Sequence, residues 1–527
     1  VATQINATFL KISRRAELLD RSYLVSSFVD AGPIFTLLSN IDHQILFGRR
    51  GTGKTHALAY LDEYMKSKGS VTASIDMRTL GSSGGIYSDP TIPIGERATR
   101  LVMDTLGAIH DQILNYALDN YQNIDLSKVG PALDKLASAI TEVIISGTVN
   151  QEDVVKDEVK SEDKTTVGFK LAKSPSCDLQ INGATEQKNS LERKVVRSGE
   201  ERHRIHFGTV RAAFEEIVKA VSPRRIWVFF DEWSEVPFDL QPFLADLLRR
   251  TLFNIQGITV KIAAIEQRCF FRKALDNGSY IGVEVGADIA TSLNLDEYMV
   301  FDNDAEKAKA FFKELIFKHV KSIEGDSALT FLSTSEGIIS LAFTQKTVFD
   351  EFVRAAEGVP RDAINILSIA AQKADNDLIS INNIRVAAKT WYNRAKETAV
   401  SARPEAHLLL RKIVDEVIAH RRAKAFLVRN DLRHPLIDFL FDARVLHVIK
   451  HSISAHDQPG VRFNVYAIDY GCYVDLVNTS RAPQGLFQAD TDLGEEIIDV
   501  PANDYRSIRR AILNINDIEK IAVPTIA

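Results

Sequence analysis

Ile45-Leu-Phe-Gly-Arg-Arg-Gly-Thr-Gly-Lys-Thr55, continuing as His56-Ala-Leu-Ala-Tyr60, is the stretch whose reading decides the fold of this chain. Gly48, Gly53, Lys54 and Thr55 fit the spacing G-x-x-x-x-G-K-[ST], with a short apolar run before them and a helix-compatible run after. Gly51 and Gly53 let backbone N–H groups turn inward onto phosphate oxygens with no Cβ in the way. The helix that starts near Lys54 aims its positive end at the same anion. Lys54 is then expected on the β- and γ-phosphates and the Thr55 hydroxyl on Mg²⁺. The nucleotide contact is assigned to Gly48, Arg49, Arg50, Gly51, Thr52, Gly53, Lys54, Thr55 and His56.

The partner of this loop lies far downstream, in Arg225-Ile-Trp-Val-Phe-Phe-Asp-Glu-Trp-Ser-Glu-Val-Pro237. An apolar run that ends abruptly in two carboxylates reads as a buried parallel strand, and ligands bind at the carboxyl ends of such strands. Asp231 is therefore the second expected Mg²⁺ ligand. Glu232 is the group that orients or deprotonates an attacking water. A further strand, Ile258-Thr-Val-Lys-Ile-Ala-Ala-Ile265, ends in Glu266-Gln267-Arg268, where Glu266 or Gln267 senses the γ-phosphate or merely closes a turn.

The rest of the composition sets bounds. A chain of 527 residues accommodates roughly three domains of about 150 residues each. Its 45% hydrophobic and 25% charged content is that of an ordinary globular protein, and no run suits a membrane span. No signal peptide is visible at the start of the sequence. Cys177, Cys269 and Cys472 stand singly, without disulfide or zinc spacing, which points to a reducing cytoplasm. A net charge of −6 argues against a chain-wide grip on nucleic acid.

In chain order, residues 1 to about 40 read as a helical collar before the first strand, and Ser70 to Met77 as the second strand. Helices are expected at about Ile94 to Leu118, Gly130 to Ile145, Thr209 to Val221, Asp239 to Leu252 and Asp304 to Val320. Between them, residues 150–201 form a charged insertion in which Val167 to Ile181 suggests a β-hairpin. The division that follows is a nucleotide domain at 1–300 and a helical segment at 301–400. A third module occupies 401–480, and 481–527 form a tail that packs on its own chain or docks onto a partner.

Loop, Asp-Glu strand end, polar end of a fourth strand and helical segment, in that order, resemble an AAA+ ATPase. Gly358-Val-Pro-Arg-Asp-Ala-Ile-Asn-Ile-Leu367 is similar to the second sensor motif of the origin-recognition-complex branch, and Ile379 to Ala387 to the strand and helix start that close its lid. The resemblance implies an α/β fold with a P-loop parallel sheet, a helical lid and a C-terminal winged-helix-like domain, binding ATP and Mg²⁺. It places Arg361 on the nucleotide, beside Lys54, Glu232 and either Glu266 or Gln267 in the catalytic set. The alternative for Arg361 is an exposed helix-start arginine or one paired with Asp362. Bacterial members with this layout often serve mobile-element or phage-defence clusters.

Two departures from the family shape the functional expectation. Lys273 to Asp288 contains no arginine where a neighbouring subunit's finger belongs, leaving Arg249, Arg250, Arg268 and Arg272 as substitutes. The last module suits a winged helix with Glu405 to His420, Ala423 to Val428, Pro435 to Arg444 and a wing of Val445 to Ser454 and Val461 to Asp469. Its single helix in the recognition position carries Asp438 and Asp442, which repel phosphate. Arg421-Arg-Ala-Lys424 is its one local basic cluster. The expectation is a slow ATPase acting as a switch or scaffold, a homo-oligomer with a protein partner, and DNA binding that is weak and non-specific. The alternative is an initiator that loads onto duplex.

Overall fold

The computed structural model describes residues 2–13, 20–30, 32–81, 85–141, 143–146, 149–152, 194–197, 200–203, 205–276, 278–289, 291–296, 305–324, 332–420, 425–430, 434–454 and 461–476. Five strands, β1 (Gln44–Phe47), β2 (Val71–Asp76), β3 (Ile226–Asp231), β4 (Ile258–Ala264) and β5 (Thr291–Asn294), pair in parallel in the order β5-β1-β4-β3-β2. Their apolar runs are explained by burial on both faces, as parallel pairing with helical crossovers demands. Every residue of β1 and of β4 is buried, and β3 is buried up to its terminal Asp231. Lys261 on β4 is the exception in chemistry. Its ammonium donates to Asn40 O (2.7 Å), Asp42 O (2.8 Å) and Gln44, and burial brings its pKa down to about 7. These partners lie at the amino end of the sheet, away from the phosphate loop.

The helices follow in chain order. The longer ones are α1 (Ala2–Lys11), α2 (Arg21–Ser27), α3 (Lys54–Ser67), α4 (Ile94–Asp119), α5 (Leu126–Ile140), α6 (Phe207–Val221), α7 (Gln241–Thr251), α8 (Ala305–Glu324), α9 (Lys346–Ala356), α10 (Pro360–Ala374) and α11 (Ile381–Tyr392). The sequence boundaries hold to within a few residues except at Gly130 to Ile145, where the helix ends at Ile140 and Val143–Ser146 is a strand. The helix start read in Ile379 to Ala387 is present as a capping box. Ser380 Oγ accepts from Asn383 N (3.3 Å), and Asn383 Oδ1 accepts from Ser380 N (2.8 Å).

The expected amino-terminal helices are present as α1, α2 and a short helix at Ile34–Leu38, all before β1. Ile5 and Phe9 of α1, with Ile12 just beyond it, share one core with Phe312, Phe349, Phe352 and Ile366, so α1 packs into the helical segment. Asn6 fixes it there by donating to Asp375 O and Asp377 O, both at 2.9 Å. Leu10 on the opposite face of α1 is exposed. Leu18 and Leu19 lie outside the described residues.

The same core continues into the carboxy-terminal module. That module consists of α12 (Pro404–Ile413), β6 (Ala425–Arg429), α13 (Pro435–Asp442), β7 (Leu446–Ser454) and β8 (Arg462–Ile468), with the strands antiparallel in the order β6-β8-β7. Each element falls where the sequence placed it. The chain divides into two compact units, residues 141–205 forming one and the remainder the other. In the smaller unit Val143–Ser146 pairs with Glu200–His203 and Val149–Glu152 with Lys194–Arg197. The hairpin expected at Val167 to Ile181, the basic cluster Arg421 to Lys424 and the tail lie outside the described residues.

Candidate active site

The loop between β1 and α3 adopts the conformation its glycines permit. Gly51 (φ +91°) and Gly53 (φ +96°) occupy the left-handed region that residues with a Cβ avoid. Gly53 is the N-cap of α3 and has open space around its missing Cβ, whereas a Cβ on Gly51 would stand 2.8 Å from Arg361 Cβ. Gly51 O accepts from Arg361 N at 3.2 Å. The phosphate loop and the start of α10 are thus in direct contact.

Lys54, Thr55, Asp231 and Glu232 come together. Lys54 is 6% exposed, and its Nζ donates to Gly48 O (2.8 Å) and Arg49 O (3.0 Å). Burial lowers its pKa against the attraction of Glu232, Asp296 and Asp231. The Asp231 carboxyl is pushed up to about 6 by burial, with a hydrogen bond from the Thr55 hydroxyl pulling the other way. Glu232 takes a left-handed backbone (φ +53°), and its carboxylate lies 3.9 Å from Arg78 Nη1. Strained non-glycine positions of this kind gather at functional sites.

Lys54, Thr55 and Glu232 line one cavity of ≈ 370 Å³ between the loop, the turn after β3, α8 and α10, and Asp231 is joined to it through its hydrogen bond with Thr55. Of the assigned residues, Arg50, Gly51, Gly53, Lys54, Thr55, His56, Glu232 and Arg361 all line it. Sequence reasoning missed Arg78 and Glu235, which pair with Glu232 and Arg50 at this cavity, and Leu24, Leu315, His319 and Ile364, which line its apolar side. Burial depresses the pKa of two imidazoles in that lining. His56 Nε2 donates to Leu24 O (2.6 Å), and burial lowers its pKa. His319 shares a 2.8 Å hydrogen bond with the Tyr23 hydroxyl, and burial brings it down to about 3.

Five assigned residues are placed elsewhere. Gly48, Glu266 and Gln267 line a separate small cleft with Asn294, Asp296, Phe441 and Val448. At Gly48 a Cβ would meet Thr52 Oγ1 at 2.5 Å, so this glycine serves loop packing. Thr52 is buried, with its hydroxyl donating to Arg49 O (2.9 Å). Arg49 is corrected outright as a nucleotide contact. Its backbone N–H and Nε both go to Asp296, at 2.9 and 2.7 Å, and its guanidinium is buried away from the cavity. The four arginines offered as trans-acting substitutes all have carboxylate partners. Arg249 and Arg250 pair with Asp246, Arg268 with Asp442 and Arg272 with Glu284.

The donor set fits a magnesium nucleotide. Mg²⁺ takes one or two protein oxygens and leaves the rest of its octahedron to phosphate and water. Thr55 and Asp231, already joined by a hydrogen bond, supply such a pair. Among the described residues no group of three or more His, Cys, Asp or Glu side chains forms a separate metal site.

The strand order, the loop and the carboxylates at the end of β3 make a parallel α/β fold with a phosphate-binding loop between β1 and α3. A family model described as ORC-CDC6-like matches residues 13–66, the stretch that contains the phosphate loop. No curated protein matches the chain. A solved structure, the ORC1 protein of Aeropyrum pernix in complex with DNA, is similar at 13% identity with a TM-score of 0.32. The alignment covers 87% of this chain and 96% of that one, a likeness at which shared ligands do not follow. Among the described residues no helix is long and apolar enough to cross a membrane.

Proposed function

We propose that the chain binds ATP with Mg²⁺ and hydrolyses it slowly, as a nucleotide-controlled switch or oligomeric scaffold for protein partners. The observation that carries this reading is the convergence of Lys54, Thr55, Glu232 and Arg361 on one cavity, with Asp231 hydrogen-bonded to Thr55. Lys54 offsets the charge of the β- and γ-phosphates, and Thr55 with Asp231 holds the metal. Mg²⁺ supplies neutralisation of charge on the phosphate oxygens. Glu232 orients the water that attacks, with Arg78 near enough to hold its carboxylate. Arg361 reaches the nucleotide from α10, so occupancy of the cavity and the position of the helical segment move together. The carboxylate pairing of Arg249, Arg250, Arg268 and Arg272 favours slow turnover, because none stands ready as a finger for a neighbouring subunit.

We infer further that the carboxy-terminal module, winged-helix-like in its element order, holds a protein instead of reading duplex DNA. Along α13 only Pro435 is exposed, and Asp442 is paired with Arg268 of the nucleotide unit at 2.8 Å. A helix so covered has no face to lay in a groove. Phosphate release and nucleotide titration test the ATPase reading. Lys54→Ala should abolish binding, and Glu232→Gln should keep ATP while stopping turnover. Wild-type phosphate release in both variants removes the assignment.

A further inference from the structure

Arg49 occupies a variable position of the phosphate loop, yet it is 1% exposed and fully engaged with groups far along the chain. Besides Asp296, its guanidinium donates through Nη2 to Glu357 O (2.8 Å) and through Nη1 to His447 Nδ1 in β7. Arginine only donates, so Nδ1 of His447 must be bare. A neutral ring then carries its proton on Nε2, which faces Asp469 Oδ2 at 3.2 Å, an oxygen that only accepts. Both neighbours therefore demand the same tautomer.

The chain of contacts does not stop there. Asp469 pairs with Lys396, Lys396 with Asp362 (2.7 Å), and Asp362 with Arg444 (3.1 Å). Asp362 is the residue after Arg361, in the first turn of α10. A buried path thus leaves the phosphate loop at Arg49, passes through the carboxy-terminal module and returns to the helix that carries Arg361. Arg49, Lys396 and Arg444 balance Asp296, Asp469 and Asp362 in charge, with the neutral imidazole between them. Buried ion networks are costly when one member is lost, because the remaining charges stay desolvated.

We propose that His447 is a positioning residue for the nucleotide site. By accepting from Arg49 it holds the phosphate loop against the carboxy-terminal module, and its bond to Asp469 fixes the tautomer that leaves Nδ1 free to accept. Nucleotide occupancy at the loop is thereby coupled to docking of the carboxy-terminal module, and the coupling is reciprocal. This inference rests on the ATP reading above.

Two variants at one position separate positioning from simple structure. The Asn amide places its oxygen near where Nδ1 stood and keeps the acceptor for Arg49, while the Gln amide reaches the Nε2 position and keeps only the donor to Asp469. In the full chain, His447→Asn should hold ATP affinity within about threefold of wild type, whereas His447→Gln should lose roughly ten- to a hundredfold. The two should melt alike. ATP should raise hydrogen-exchange protection of the β7 amides in wild type and His447→Asn but not in His447→Gln. Equal affinity in both variants, or losses that track the melting temperature, overturns the proposal. If His447→Gln does not fold, Arg49→Lys carries the same test, since it keeps the charge but not the fork, and wild-type affinity there overturns it. Failure of the wild-type chain to bind ATP refutes the ATP reading instead.

Discussion

Gly51→Ala drives a methyl group into the seam between the phosphate loop and α10. The left-handed backbone at this position costs a residue with a Cβ roughly 1–2 kcal/mol. The new carbon would lie 2.8 Å from Arg361 Cβ and 3.2 Å from Val359 Cγ1, atoms close to the backbone that cannot swing aside. The first turn of α10 must retreat, breaking the Arg361 N to Gly51 O hydrogen bond (3.2 Å) and withdrawing the guanidinium from the cavity. A charge-assisted hydrogen bond contributes about 1.5–3 kcal/mol, so ATP affinity should fall roughly ten- to a hundredfold. Isothermal titration with ATP and Mg²⁺ reads the affinity, and a thermal melt reads the backbone cost as a drop of a few degrees. Arg361→Ala should lose a similar amount. Because the two changes act through one contact, the double variant should lose less than their sum. Strictly additive losses, or a lowered melting temperature with unchanged affinity, would refute the idea that Gly51 matters because of what α10 needs.

Lys54→Ala should show no ATP binding by titration, since it removes the cation in a site that already buries Glu232 and Asp231 nearby. Glu232→Gln should bind ATP with affinity within a few fold of wild type, while phosphate release falls about 100-fold or more, the lower end of general-base contributions. Stability should decline on acidification. Burial holds His447 at about 4 and His319 at about 3 against an ordinary 6.5, so the unfolded chain takes up protons first. Their contribution is complete above pH 6.5 and is lost as pH falls toward those values. Urea denaturation should show a loss of about 2 kcal/mol per histidine from pH 7.5 to 5, and a flat profile would contradict their burial. Fluorescence anisotropy with duplex DNA at physiological salt should show only weak, sequence-independent binding. Selective binding near 10⁻⁸ M, lost when Arg421, Arg422 and Lys424 become Ala, would favour an initiator.

Much of this molecule was legible because its chemistry is written locally. The phosphate loop declares itself within eight residues, and Asp231 with Glu232 within the strand they end. The carboxy-terminal elements were equally readable, since turn residues and alternating strands mark their own limits. Arg49 was misread for the opposite reason. Nothing beside it announces partners 247, 308 and 398 residues away, so a motif position free to vary looked like a ligand contact. His319 and Leu315 escaped notice likewise, because a cavity wall given by a helix some 260 positions downstream leaves no periodic trace. The partner of the amino-terminal helix was not legible, because amphipathic spacing reports that a face is buried, not what buries it.

The smaller unit leaves and re-enters the chain through paired neighbours, Val143–Ser146 running antiparallel to Glu200–His203. A stretch whose two ends are held side by side behaves as a cassette. It can be shortened to a hairpin turn, exchanged for another sequence or replaced by a reporter protein, and the flanking helices will still be joined over the same short gap. Variation among natural sequences should therefore concentrate there, and tags or cross-linking handles are best introduced there. The chain carries, between Ile140 and His206, a place where new recognition can be added without renegotiating its nucleotide chemistry.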